Sequence, residues 1–292
     1  PELEKRIQMI IETNLVELKK DFKIYWNNSP IAKLTPGKDY LSPNFELIVD
    51  DMLELNQRKK LTNFLAKWLE DKISNILKSL FDLKSLKDKN SSIKALAYQL
   101  YENNGVLKRD KVSEYLKNMS QNERKILRDL GVKFGRYHIF LHKLIKPDAV
   151  SLRTLLWKNY HQKYFNLSPP TFGLNFLENK KNQNESFMLL CGFEKFDNFY
   201  VRIDILERLF VKIINSDSKI DNEIKMVPEM LNLLGCSKEN FKNLLKNMNY
   251  KIIEKDGETF LKYISPKKIK RFQIKKVSKE SPFNILKNLN LN

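Results

Sequence analysis

Two stretches of the chain carry the same succession of local signals, and this repetition restricts the folds that the chain can adopt. Each stretch reads as three short amphipathic helices followed by a β-rich segment that a tight turn interrupts. In the first stretch, Ser120 and Glu123 form a capping box that starts the third helix, and Gly131 ends that helix. The next segment turns back at Gly135-Arg136. The pattern predicts a small helical bundle closed by a β-hairpin.

The second stretch repeats this order closer to the C-terminal end of the sequence. Pro228 starts a short helix that Gly235 closes, and Ser237 caps the helix that follows. Asp256-Gly257 separates two β-rich segments and is a favourable hairpin turn. Three helices and a hairpin in this order are typical of winged-helix units. We therefore predict a mainly α, α+β fold with two winged-helix-like units, each of three helices plus a β-hairpin.

The remaining segments complete the predicted domain organisation. Apolar residues at three- and four-residue steps predict a helix over 2–26, and the apolar stripe from Leu61 to Leu80 predicts another. Between them, Ile31–Leu34 and Phe45–Val49 are candidate short strands. The predicted domains are a helical region at 1–90, a winged-helix-like unit with a Pro147-started helix at 91–165, a linker loop at 166–184, a second winged-helix-like unit at 185–265 and a basic tail at 266–292.

Positive charge dominates the composition and is unevenly distributed. The chain has 53 Lys and Arg against 35 Asp and Glu, which gives a formal net charge of +18. Basic residues are concentrated at 131–163, where Asp148 is the single acid, and at 262–279, which has no acid. Such clusters favour a polyanionic partner, RNA or DNA, because neutralised phosphates release condensed counterions. The codon bias of an AT-rich genome is an alternative source of the lysines, and a solvated tail is an alternative for 262–279.

Several classes of protein are excluded or disfavoured by what the sequence lacks. No apolar run approaches the roughly 18–20 residues that cross a bilayer, so we expect a cytoplasmic protein with no membrane partner. Cys191 and Cys236 cannot build a disulfide framework or a four-thiolate zinc site, and their apolar neighbourhoods predict core thiols. No glycine spacing matches a phosphate-binding loop, so the chain alone should not hydrolyse ATP. Pro1 in place of Met indicates a fragment or a processed product.

The candidate site residues are bases on the predicted third helices, hairpins and adjoining segments, which face the nucleic-acid backbone in winged helices. The three lysines of the last helix recur at four-residue steps, and a solvated helix face is their alternative role. Arg202 precedes a helix on which Asp204 and Arg208 form an expected i,i+4 pair, so it either contacts RNA or orients its unit. The candidates are Lys133, Arg136, Lys143, Lys146, Arg153, Lys158, Arg202, Lys238, Lys242 and Lys246.

Histidines offer a second kind of chemistry, and here the sequence favours a structural role. His138 and His142 are four residues apart, a spacing that holds zinc on a helix. On the strand predicted here, however, they would lie about 13 Å apart. No third ligand is near, so we expect a polar hairpin side chain and no metal.

Several stretches resemble one family of proteins. The first are Gly131–Leu141, Lys146-Pro147 and Leu152–Trp157, and the second is Val201–Leu209. Supporting matches are Leu233–Ser237 and Ser281–Phe283. Together they resemble the C-terminal region of the large ATP-dependent helicases of alphaproteobacteria, relatives of the mitochondrial degradosome RNA helicase in superfamily 2.

The resemblance runs from Ile31 to the end of the chain and implies a function. It implies an accessory region that follows a helicase motor and guides a strand or duplex by phosphate contacts. ATP and Mg²⁺ would then bind only in the upstream motor, and no cofactor is expected in this chain. Expected partners are RNA or DNA, the motor, and a nuclease or ribosomal partner. Two alternatives remain: a scaffold that docks the helicase to a protein, and a stand-alone winged-helix DNA-binding protein.

Overall fold

The computed structural model describes residues 2–48, 53–86, 91–179, 183–216, 219–220 and 223–265. These residues form a mixed α and β fold in which small antiparallel sheets alternate with helices. The expected basic tail at 266–292 and the Ser281–Phe283 match lie outside the described residues.

The first part of the chain contains more β-structure than the sequence predicts. Helix α1 (Glu2–Thr13) ends well before residue 26, and the predicted single helix over 2–26 is wrong. Asn14 has a positive φ of 51°, and the chain then enters a four-stranded antiparallel meander. Its strands are β1 (Val16–Leu18), β2 (Lys23–Trp26), β3 (Ser29–Thr35) and β4 (Asn44–Leu47). The candidate strand Ile31–Leu34 is thus confirmed, and so is Phe45–Leu47 of the other. Ile48 lies in the turn that follows β4, and Val49 lies outside the described residues.

The apolar stripe that begins at Leu61 lies on two consecutive helices. Helix α2 (Leu55–Ile76) and helix α3 (Lys78–Lys84) meet at Leu77, which is fully buried. Leu61, Leu65 and Leu69 pack into the core that this region shares with the following unit. The stripe is therefore core, as its periodicity indicates.

The first predicted unit has the three expected helices and the expected hairpin, together with an additional strand after the first helix. They are helix α4 (Ser91–Glu102), strand β5 (Val106–Lys108), helix α5 (Ser113–Asn118), helix α6 (Gln121–Asp129), strand β6 (Val132–Phe134) and strand β7 (His138–Leu141). The capping box at Ser120 is confirmed, since its hydroxyl accepts from Glu123 N–H and the Glu123 carboxylate accepts from Ser120 N–H. The sheet order is β5-β7-β6, so the hairpin pairs with the strand that precedes α5.

A central segment joins this unit to the next. Helix α7 (Pro147–His161) begins at the predicted proline. The expected linker loop contains strand β8 (Phe176–Glu178), which pairs with a later strand. Helix α8 (Glu185–Leu190), strand β9 (Phe193–Phe196) and strand β10 (Phe199–Arg202) follow, and the sheet order is β8-β10-β9.

The second predicted unit also has its helices and hairpin. Its elements are helix α9 (Ile203–Ile214), strands β11 (Lys219–Ile220) and β12 (Glu223–Lys225), helices α10 (Pro228–Leu234) and α11 (Lys238–Asn247), and strands β13 (Tyr250–Lys255) and β14 (Glu258–Tyr263). The turn residues Asp256 and Gly257 both have positive φ, as a two-residue hairpin of this type requires. The sheet order is β11-β12-β14-β13, so three of its strands are arranged like β5-β7-β6 and β11 is an additional edge strand.

The two units pack directly against each other. Val106 and Phe140 of the first unit form one buried apolar cluster with Ile203, the first residue of α9. The tip of the β6–β7 hairpin reaches further, because Tyr137 packs against the core of the second unit and lies 4.3 Å from the ring of Phe210. This packing sets the hairpin beside α9 and creates the surface described next.

Candidate nucleic-acid interface

A groove of about 740 Å³ runs between the β6–β7 hairpin and helix α9. We call it the α9 groove. The hairpin side contributes Lys133, Arg136 and His142, and the helix contributes Glu207, Arg208 and Lys212. Phe134, Phe140 and Val211 give the groove apolar surface between these charges. The arrangement is a channel with a cationic rim and a partly apolar lining.

Four of the cations in this groove are available to a ligand. Lys133, Arg136, Arg208 and Lys212 are all exposed. Within the described residues, no carboxylate forms an ion pair with any of them. Arg208 and Lys212 are four residues apart on α9 and so project from the same face of the helix. Asp204 and Glu207 also line the groove, but their oxygens bind other groups. The four cations therefore have no ion pair among the residues that the structure describes.

The expected pair between Asp204 and Arg208 is wrong. Asp204 is held instead by Arg202, whose Nε lies 2.7 Å from Oδ1 and whose Nη2 lies 3.2 Å from Oδ2. This fork geometry satisfies both carboxylate oxygens and leaves Arg208 to the groove. Arg202, a predicted phosphate contact, is thus half-buried and already paired.

Glu207 is the unexpected member of the groove wall. Its side chain is buried, and its carboxylate accepts the backbone N–H groups of Arg136, Tyr137 and His138. The approach is so close that a Cβ at Gly135 would lie 2.3 Å from the Glu207 carboxyl carbon. A side chain at position 135 would therefore have to displace the Glu207 carboxylate. Helix α9 of the second unit is thus hydrogen-bonded through Glu207 to the hairpin turn of the first unit.

His138 extends this contact into a buried charge cluster. Its Nδ1 lies 3.2 Å from Glu207 Oε1, and its Nε2 lies 3.4 Å from Glu194 Oε2. Lys108 pairs with the other oxygen of Glu194. Burial opposes a charged imidazole, but the bonds to Glu194 and Glu207 outweigh it and raise the pKa of His138. The histidine is structural, and no group of three His, Cys, Asp or Glu within the described residues could hold a metal ion.

The pKa of His142 is shifted in the direction opposite to that of His138. It lies on the groove wall, and burial together with the charge of Lys146 lowers its pKa. Lys143 and Lys146 are exposed on the short turn of helix that precedes α7. Of the predicted contacts in this region, Lys133 and Arg136 line the groove, whereas Lys143 and Lys146 do not.

Two other predicted contacts, Arg153 and Lys158, do not line the groove. The prediction that Arg153 contacts a phosphate is wrong, because its side chain is buried. Arg153 is only 1% exposed, and its guanidinium donates to the carbonyls of Leu144 at 3.2 Å and Asn104 at 2.9 Å. A side chain so placed ties α7 to neighbouring loops and cannot reach a phosphate. Lys158 is half-buried, and its amine donates to the carbonyl of Leu167 at 3.0 Å. Its pKa is lowered by burial and then by nearby Lys20.

The three lysines of α11 are outside the groove. Lys238 and Lys246 are exposed, whereas Lys242 pairs with Glu254 on the following strand. Among the described residues, only Lys238 and Lys246 of the three therefore have no ion pair. This makes the α11 lysines a weaker candidate for a phosphate-binding surface than the groove.

A second groove of about 550 Å³ lies on the other side of the hairpin turn, and Arg136 lines both grooves. We call it the Arg109 groove. Lys108, Asp110 and Glu194 are among its lining residues, so its charges are mixed. Arg109 donates through Nη1 to the carbonyl of Gly135 at 2.6 Å, on the same turn that Glu207 holds.

Burial determines the reactivity of the two cysteine thiols. Burial raises the pKa of Cys191 to about 12 and that of Cys236 to about 11, so neither thiol ionises readily.

No helix among the described residues combines the length and the apolar character needed to cross a bilayer.

Sequence reasoning identified the hairpin half of the groove and missed the helix half. Lys212 was not a candidate, and Arg208 was assigned to an ion pair. The available signal was their four-residue spacing on an amphipathic helix beside exposed Val211. Comparison of the chain with protein-family models, curated proteins and solved structures finds no match.

Proposed function

We propose that this chain binds nucleic acid through the phosphate backbone, in the α9 groove. The observation that carries the proposal is the convergence on one groove of about 740 Å³ of four exposed cations that form no ion pair with any described residue. Two are arginines, whose planar guanidinium groups match the geometry of phosphate oxygens. The partly apolar lining suits sugar and base faces once the phosphates are held.

We also propose a winged-helix identity for each unit and an accessory role beside a helicase motor. The supporting observation for the fold is that each unit has three helices and a hairpin, and that a strand between its first two helices pairs with the second strand of the hairpin. The second unit has one further edge strand, β11. Under this proposal, the chain guides a strand or duplex while ATP and Mg²⁺ bind in an upstream motor. The tip of the first hairpin is occupied by the second unit, so nucleic acid would lie beside that hairpin and not under its tip.

The test is an anisotropy titration of a fluorescein-labelled oligouridylate. For four phosphate contacts to a single strand, the logarithm of the binding constant should fall with log salt at a slope of about −3. Charge reversal of Lys133, Arg208 and Lys212 to Glu should weaken binding at low salt by more than about tenfold, since it removes three of those contacts.

The matched control reverses three exposed lysines that do not line the groove, Lys59, Lys67 and Lys94, and so changes the net charge equally. It should retain most of the binding and a similar salt slope. Equal losses in the two triple variants would mean that net charge, and not the groove, attracts the oligonucleotide, and the proposal would fail.

A protein-docking scaffold is the second candidate, and one observation favours it. Val211 is 58% exposed on the groove wall between Arg208 and Lys212, a combination that also suits an acidic, amphipathic protein helix. Retention of a protein partner at high salt, with no oligonucleotide binding at low salt, would favour the scaffold.

A further inference from the structure

A buried carboxylate in the wall of a cationic groove calls for an explanation. Glu207 is 7% exposed and lines the α9 groove. Its negative charge repels the phosphates that the neighbouring cations attract, so simple electrostatics predicts that its loss would strengthen polyanion binding.

The geometry of Glu207 gives it a different role. Its Oε2 accepts the N–H of Arg136, while its Oε1 accepts those of Tyr137 at 2.9 Å and His138 at 2.7 Å. Three consecutive backbone donors therefore converge on one ionised side chain, and bonds of this kind are stronger than those between neutral groups. The backbone of the turn is fixed along its whole length.

The other side of the turn is held as well. Arg109 donates to the Gly135 carbonyl, and Tyr137 packs against Phe210. The turn therefore has little freedom to move. The Arg136 side chain leaves this fixed backbone, lies 5.5 Å from the ring centroid of Tyr263, and lines both grooves.

We propose that Glu207 is a positioning residue that holds the turn so that Arg136 lies where the two grooves meet, as the contact through which a bound polyanion passes from one groove to the other. The inference rests on the function proposed above and assigns a role to one residue of that site. Its consequence is opposite to the electrostatic expectation: loss of the Glu207 charge weakens binding.

The first test compares two variants that each remove one negative charge from the same groove. In Glu207→Gln, one oxygen becomes an NH₂ group that cannot accept, so the turn loses part of its support. Binding of the labelled oligouridylate should weaken by about tenfold, roughly the loss of one good charged contact. Asp204→Asn, the matched control, should bind at least as tightly as the parent chain, because Asp204 holds Arg202 and not the turn.

A double-mutant cycle separates positioning from general damage to the fold. Arg136→Ala alone should weaken binding about as much as Glu207→Gln does. In the Arg136→Ala background, Glu207→Gln should cause no further loss, since no guanidinium remains to be positioned. Gly135→Ala displaces the carboxylate sterically while its charge remains, and it should behave like Glu207→Gln.

Amide hydrogen exchange provides a readout that does not depend on binding. The amides of residues 136–138 should exchange faster in Glu207→Gln than in the parent chain, while those of the β13–β14 hairpin stay unchanged. Equal or tighter binding by Glu207→Gln, or additive losses in the cycle, would refute the positioning role while the proposed function stands. Absence of binding by the parent chain refutes both.

Discussion

His138 lies between two carboxylates at the contact of the two units, and its surroundings make that contact dependent on pH. The facing charged groups are Glu207 from α9, Glu194 from β9 and Lys108 from β5. The pKa of His138 is raised above its usual 6.5 despite burial. Although burial opposes ionisation, bonds to His138 and Lys108 lower the pKa of Glu194 below 4.5.

These shifts predict how stability varies with pH. The contribution of His138 is fully present below about pH 6.5 and is lost as pH rises through its folded pKa, whereas that of Glu194 is lost as pH falls through its lowered pKa. The free energy of unfolding, measured with urea, should therefore fall as pH rises above about 6.5. His138→Gln should be less stable at the lower pH values and show a smaller fall. An equal fall in both proteins would contradict this account.

Arg153 illustrates a basic residue whose burial changes its role. Arg153→Leu leaves the carbonyls of Leu144 and Asn104 without their donors. We expect a loss of about 2–5 kcal/mol in the free energy of unfolding, which urea denaturation measures. Oligonucleotide binding by the folded fraction should not change. If Arg153→Leu lost oligonucleotide binding but kept normal stability, Arg153 would be a nucleic-acid contact and this account would be wrong.

At the scale of elements, local signals predicted the repeated units well because each signal acts within a few residues. The Ser120 capping box, the Pro228 start and the Asp256-Gly257 turn are all present in the structure. The predicted helix over 2–26 failed because three- and four-residue apolar steps continue by chance into the strands. Leu15, which continues those apolar steps, is 65% exposed, while Val16 and Ile24 are buried in the sheet.

The candidate site divides in the same way between local and long-range information. Lys133 and Arg136 were found because a hairpin displays its turn residues locally. The groove depends on α9, which lies some 70 residues further along the chain and meets the hairpin only through tertiary packing. No local pattern indicates that Glu207 would accept three N–H groups of a distant turn, or that Asp204 would pair with Arg202.

At the scale of the whole molecule, buried clusters that combine elements of both units predict that they unfold together. Val106 and Phe140 pack with Ile203, and Tyr137 packs with Phe210. Because the α9 groove uses both units, a ligand bound there stabilises the entire folded state.

We therefore expect one cooperative urea transition for the parent chain. Oligouridylate at about 100 times its Kd should raise the free energy of unfolding by about 2.7 kcal/mol. The Lys133, Arg208 and Lys212 charge-reversal variant should show one transition but little of this increase at the same oligonucleotide concentration. Two separate transitions, with only one displaced by the ligand, would contradict the shared groove.

The docked hairpin tip also restricts how this architecture can be rearranged. Transplanting the first unit alone into another protein would leave Tyr137 without its apolar contacts and three adjacent amides without the Glu207 acceptor. Transplanting the second unit alone would leave the Glu207 carboxylate without those donors. Gene fusions and recombination events that separate residues 135–138 from α9 should therefore be selected against, and the two halves should be inherited as a pair.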